Sequence, residues 1–354
     1  MGQVLSFLNA RAQRGSSGVP GLLETFGAFR KDRLDVLWLK ENAELLNVLE
    51  TTGCKISCDA LEPLLPFYEG SLRHLNFFRQ YYRFILSICL DLEDLGLPGE
   101  RGEAMAGWIA DRDISRNELS DLQRGEARRL LARRGVDLRG VEGLDDRLRG
   151  FMRQSACFAV PNRKAAYELT HVVFYLTEYG RAPIRLESEE RRSLLFAGLV
   201  AFLDQDADLL AEICIALTFC DEVPPQDWCR WLDQQVGSFT LRPAQGRVGN
   251  DDYHPYFMCN WFQLLVGRSG FSDANCKGSV VIEGQARPSA LRGVSMALYT
   301  LLDQAPGTWA RMRRPLLQSL STEDGDLLCR VEASTPVFEP FFEVFLRSGQ
   351  VGRA

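Results

Sequence analysis

Apolar residues recur every three or four positions along almost the whole chain, as in "PYFMCNWFQLLVG" from residue 255, and strict alternation is scarce. A spacing near 3.6 lines such residues along one face of a helix, whereas a half-buried strand needs a spacing of two. An all-α chain is expected. Only "RLDVLWLK" (33–40) and "GSVVIEG" (278–284) carry strand-like text, and both are short.

Gly, Pro and Asp mark the loops between helices. In the first half, helices are predicted near 21–29, 34–52, 58–67, 70–96, 101–111, 115–134 and 143–156. In the second half they are predicted near 162–179, 187–203, 206–219, 225–236, 255–266, 287–303, 308–320 and 336–348. Asp227 and Gly237 bracket "WCRWLDQQ", and Pro255 and Gly267 bracket the helix quoted above, as start and stop signals should. No Gly/Ser/Pro-rich linker divides the chain. After an N-terminal extension (1–20), residues 21–354 are therefore expected to form a single all-α domain, with 21–160 as a helical subdomain.

A net charge of −6 and a pI near 5.4 argue against nucleic acid as a partner, because phosphate binding needs a basic surface. The basic stretches "RRLLARRGVDLRG" (128–140) and "RMRRP" (311–315) are interleaved with apolar or acidic residues and are expected to be solvated helix faces. In and just after "HLNFFRQYYRF" (74–84), Leu75, Phe78, Tyr82 and Ile85 keep a helical interval, which points to core packing rather than base stacking. The start "MGQVLS" matches a myristoylation pattern, but 36 Arg against 5 Lys fits a GC-rich bacterial genome, where that match carries no meaning. No secretory signal is recognisable, and "FILSICLDL" is too short to span a bilayer. A soluble, cytoplasmic protein is expected, with no membrane partner.

Ten cysteines contain no Cys-x-x-Cys pair, and most lie in apolar helical text, where a thiol packs as a small hydrophobe. Cys54 and Cys58 are four residues apart but lack two further ligands nearby, so a structural role is expected. Phosphate loops, nucleophile elbows and His-Glu-x-x-His are absent from the sequence. The residues name no cofactor.

From 228 to 265 a helix with Gln-rich text, Gly-Ser-Phe, a loop and an Asp-Tyr-His helix entry follow one another: "WCRWLDQQVGSF", then "DDYHPYFMCNWFQLL". This resembles the helical hairpins of α/α toroids, the fold of terpene cyclases and protein prenyltransferase β-subunits. "LTHVVFYLTEYG" is similar to segments of uncharacterised bacterial helical families of that kind. The resemblance covers roughly residues 160–305 and implies an α/α toroid or related array of helical hairpins, with 161–350 as the toroid-like part. It stops short of the chemistry: the Asp-x-Asp-Asp motif of the cyclising enzymes is missing, and no Asp-x-Cys zinc pair is taken over from the prenyltransferases.

The candidate site starts from the second of three histidines, in "KAAYELTHVVFYLTEYG" (164–180). On a helical wheel Lys164, Tyr167, Glu168, His171, Phe174, Tyr175 and Glu178 share one face, with Ala165, Ala166, Leu169, Val172, Val173 and Leu176 opposite. A face both aromatic and titratable suits a cavity wall, with Glu168 or Glu178 orienting His171; the alternative is a solvent face where Lys164 and Glu168 form an i,i+4 pair. His254 precedes Pro255 and should be extended beside a helix start, with Asp252 and Tyr253 adjacent; the alternative makes Asn250, Asp251 and Asp252 turn and capping residues. His171, His254, Asp251 or Asp252, and Cys259 show no metal-ligand spacing, so no metal is assigned. His74 is expected to line a cavity or the core.

Two functions stay open. In one, a helix-lined cavity binds, and as an enzyme modifies, a small molecule or peptide, with His171 or His254 as general base, Glu168 or Glu178 orienting it, and Tyr167, Tyr175, Asp252 and Tyr253 as ligand contacts. In the other, the chain is a non-enzymatic scaffold holding a protein partner. The oligomeric state is not encoded in any of these features.

Overall fold

A computed structural model describes residues 18–272, 277–301 and 308–346, most of them in helices. The N-terminal pattern at 1–6, most of the 1–20 extension and Cys276 lie outside the described residues. The described residues form two compact units, one within 1–144 and 238–284 and the other within 145–237 and 285–354.

In the first unit, helix Tyr82–Asp94 is central, packing against helices Val36–Thr51, Leu65–Phe77, Arg101–Asp111 and Asp121–Ala132. Ile85, Leu86, Ile88, Cys89, Leu90 and Leu92 are all buried, which accounts for its position. Helix Tyr253–Leu265 packs on Val36–Thr51 and on a two-stranded antiparallel ribbon, β1 (Thr240–Pro243) with β2 (Val280–Glu283), in which Leu241 faces Ile282.

A buried charge network joins the two sequence segments of this unit. Arg30 follows a short π-helical turn, Thr25–Phe29, and is fully buried. Its Nε donates to Glu41 at 3.1 Å, Nη1 to Asp251 and the Val280 carbonyl at 2.8 and 2.6 Å, and Nη2 to Asp251 and Glu41 at 2.8 and 3.3 Å. All five guanidinium hydrogens thus meet acceptors. Lys31 donates to the Val248 and Gly249 carbonyls and lies 3.6 Å from Glu41. Two cations and two carboxylates cancel, which is the condition for burying them. Burial alone would lower the Arg30 pKa; its hydrogen bonds to Asp251 and Glu41, with their charges, outweigh it and raise it.

In the second unit, helices Ser188–Asp204 and Ala207–Phe219 pack on each other, and Ala207–Phe219 also packs on Arg163–Leu176 and Gln226–Val236. Two-residue loops such as Gln205–Asp206 make neighbours antiparallel. Gly198 lets the buried Trp228 indole lie against helix Ser188–Asp204, in space a Cβ would occupy. Helices Leu291–Leu301, Trp309–Ser319, Thr322–Ser334 and Phe338–Phe345 complete the unit.

Several expectations need correction. "RLDVLWLK" is no strand: Asp35 caps helix Val36–Thr51 by accepting from the Leu37 amide, and adjacent Trp38 and Leu39 are both buried. The expected helix 70–96 is broken by Phe78 and a 3-10 turn at Arg79–Tyr81. Helix Thr322–Ser334 was not expected, because Gly325 and three acids occupy its first turns. "RRLLARRGVDLRG" is not a solvated face: Arg129 is buried, while Arg133 pairs with Asp91 and Asp94, and Arg134 with Glu93 and Asp94. "GSVVIEG" does hold a strand, β2, and its partner β1 went unread. The fold is mostly helical with this one ribbon among the described residues.

Candidate functional site

The sequence candidates divide between the units: Tyr167, Glu168, His171, Tyr175 and Glu178 belong to the second, and Asp252, Tyr253 and His254 to the first.

Asn162 caps helix Arg163–Leu176 by accepting from the Ala165 amide at 3.1 Å. The helix lies against Ala207–Phe219, and a polar stripe runs between them. Arg163 pairs with Asp206 at 2.7 Å, and the Tyr167 hydroxyl donates to Asp208 at 2.8 Å. The Thr170 hydroxyl donates to Glu212 at 2.5 Å. His171 Nδ1 sits 2.7 Å from the Tyr167 carbonyl oxygen and 3.7 Å from Glu212. Glu212, only 1 % exposed, lies beneath a His171 side chain that is 36 % exposed.

These distances assign roles. A carbonyl oxygen can only accept, so Nδ1 of His171 carries the proton when the ring is neutral, and Nε2 keeps its lone pair. Burial, then Asp208, Asp206 and Glu212, push the Tyr167 phenol far above its ordinary range. Tyr167 is therefore a permanent donor that holds Asp208. Burial also raises the Asp206 carboxyl, against the opposing pull of Arg163.

Glu178 is carried off the helical face. The helix ends at Leu176, and the chain turns through positive φ at Glu178 (48°), Tyr179 (56°) and Gly180 (80°), leaving Glu178 exposed. Glu168 is half-exposed, 4.0 Å from Lys164, as in the solvent-face alternative. Tyr175 is buried, its ring 6.0 Å from that of His171. The carboxylate beside His171 is thus Glu212, which sequence reasoning missed. Its signal was a lone internal charge in "LLAEICIALTF".

A cleft at the N-terminal end of the same helix has an apolar floor, including Ala166, Val200 and Leu209, and a rim with Asn162, Arg163, Asp204 and Asp206. It shares Arg163 and Asp206 with the polar stripe, and His171 lies two turns further along.

In the first unit, Asp252 accepts from the Gly284 amide at 2.8 Å while its own amide donates to Ile282. Asp251 holds Arg30 and the Ile282 amide. These acids organise the ribbon and the charge network, rather than a turn and a cap alone. The Tyr253 hydroxyl donates to Glu44 at 2.9 Å, and burial followed by Glu44 drives its pKa far upward. His254 lies inside the first turn of helix Tyr253–Leu265, not extended before it, with Nε2 3.6 Å from Glu44. Cys259 is fully buried.

An Asp-x-Cys spacing does occur, at Asp227 and Cys229. Asp227 pairs with Arg230, and among the described residues neither belongs to a group of three donors close enough to hold an ion. No described helix is long and apolar enough to cross a membrane.

A family model described as Domain of unknown function (DUF6902) matches residues 1–348. The chain belongs to this family. No curated protein and no solved structure matches it.

Proposed function

We propose that the stripe between helices Arg163–Leu176 and Ala207–Phe219 is an acid–base site acting on a small molecule or peptide bound beside it. His171 is the general base through Nε2, Glu212 and the Tyr167 carbonyl orient it, and Tyr167 with Asp208 fixes the adjoining wall. The observation that carries this reading is the buried Glu212 under the accessible His171. A carboxylate in an apolar helix costs folding energy, and pairing it with an exposed imidazole suits a histidine held ready for proton transfer. The neighbouring cleft, apolar below and charged at its rim, supports a ligand of mixed polarity.

A bacterial, cytoplasmic setting belongs to the same proposal: the excess of Arg over Lys supports the origin, and cysteines scattered through apolar helical text without a Cys-x-x-Cys pair support a reducing compartment. So does an α/α-toroid-like array, which the short-loop antiparallel helices of the second unit support.

Native beside denaturing mass spectrometry of the purified full chain tests the site. A stoichiometric small molecule lost on denaturation, and lost in His171→Gln and Glu212→Gln, is expected. Bare protein mass in both conditions would count against the proposal and favour a partner-binding scaffold.

A further inference from the structure

A second concave site lies in the first unit and shares no lining residue with the proposed acid–base site: a shallow groove, open to solvent, between the turn at 31–35 and helices Leu65–Phe77 and Tyr82–Asp94. Buried Leu39, Phe67 and Ile85 form its floor, and Phe78 and Tyr81 flank it. Two nitrogen-bearing side chains line it, Arg33 and His74.

Arg33 differs from three other half-buried arginines of its unit, which meet acids. Arg83 meets Glu118 and Glu126, and Arg133 and Arg134 meet acids of helix Tyr82–Asp94. Arg33 reaches only the Pro63 carbonyl oxygen, at 3.3 Å, and its buried Nε has no hydrogen-bond partner. The acids nearest in sequence are engaged elsewhere: Asp32 accepts from the Leu34 amide and pairs with Arg247, and Asp35 caps the following helix. The His74 ring packs 5.3 Å from Phe67 and has no side-chain hydrogen bond among the described residues. A guanidinium without a counter-ion at the edge of an aromatic groove is a costly arrangement that an anion would complete.

We propose that this groove binds a small planar aromatic carboxylate. The carboxylate pairs with the Arg33 fork, His74 supplies a further hydrogen bond, and the ring lies against Phe67, Phe78 and Tyr81. The charge selects a carboxylate, and the flat walls select an aromatic body over a free inorganic anion.

Calorimetric titration of the full chain with 1-naphthoate, 1-naphthamide and benzoate tests this. Saturable naphthoate binding is expected, with the neutral amide weaker by about tenfold or more, the cost of one charge-assisted hydrogen bond. Arg33→Gln should lose naphthoate binding by a similar factor, and Phe78→Ala should weaken acid and amide alike. Equal binding of acid and amide to the unmodified chain, or no binding of either, overturns the proposal. That comparison needs no variant to fold. Naphthoate bound by a folded Arg33→Gln as tightly as by the unmodified chain overturns it as well.

Discussion

Glu212 Oε2 lies 3.7 Å from Nδ1 of His171, with the glutamate buried and the imidazole accessible from solvent. The pair joins a residue legible in the sequence to one that was not. Glu212→Gln keeps an acceptor for the Thr170 hydroxyl and removes the charge. Its stability to urea is expected within about 1 kcal/mol of the parent, while small-molecule retention falls. A loss of several kcal/mol with retention unchanged would make Glu212 a folding residue.

Arg30 organises the first unit. Removing it by Arg30→Met leaves Glu41 and Asp251 facing each other in the core, with only Lys31 nearby. Breaking a buried pair from one side costs about 3–5 kcal/mol, and urea denaturation should show a loss of that size. A change under about 1 kcal/mol would mean the network is not what joins 248–283 to the N-terminal helices.

The helical class and most helix positions were legible because periodicity reports burial directly. Helix Ala207–Phe219 was placed within a residue, but Glu212 inside it was passed over as part of an apolar run. The break at Phe78 was unreadable, since "NFFRQYYRF" contains no Gly or Pro and tertiary packing alone interrupts it. The same holds for Asp251: Asn-Asp-Asp reads as a turn, and its partner Arg30 is 221 residues away. Glu178 failed differently, because a helix wheel continued past Leu176 cannot register three residues of positive φ.

Gly198 is set by packing. A methyl group there would overlap the Trp228 ring, which is fully buried and donates from Nε1 to Ser334 at 3.2 Å. Gly198→Ala is expected to cost about 1–3 kcal/mol in a thermal or urea melt despite the better helix propensity of alanine. A more stable variant would show that the indole has room to move.

His74 gives the first unit a pH dependence. Burial, and then Arg73, lower its pKa below the ordinary 6.5. The unfolded chain then binds the proton more readily, so stability is full above about pH 6.5 and declines as pH falls from there towards the folded value. His74→Gln should flatten that part of the stability–pH curve. An unchanged slope would show that His74 titrates alike in both states.

In the proposed mechanism His171 presents Nε2 as a base because Nδ1–H is held by the Tyr167 carbonyl and Glu212. Two-bond proton–nitrogen correlation NMR on the full chain, at a pH where the ring is neutral, reads this directly. The account expects the Nδ1-protonated tautomer, with His171→Gln identifying the signal. A proton on Nε2 would contradict it, leaving Nδ1 turned towards the protein and no base facing a ligand.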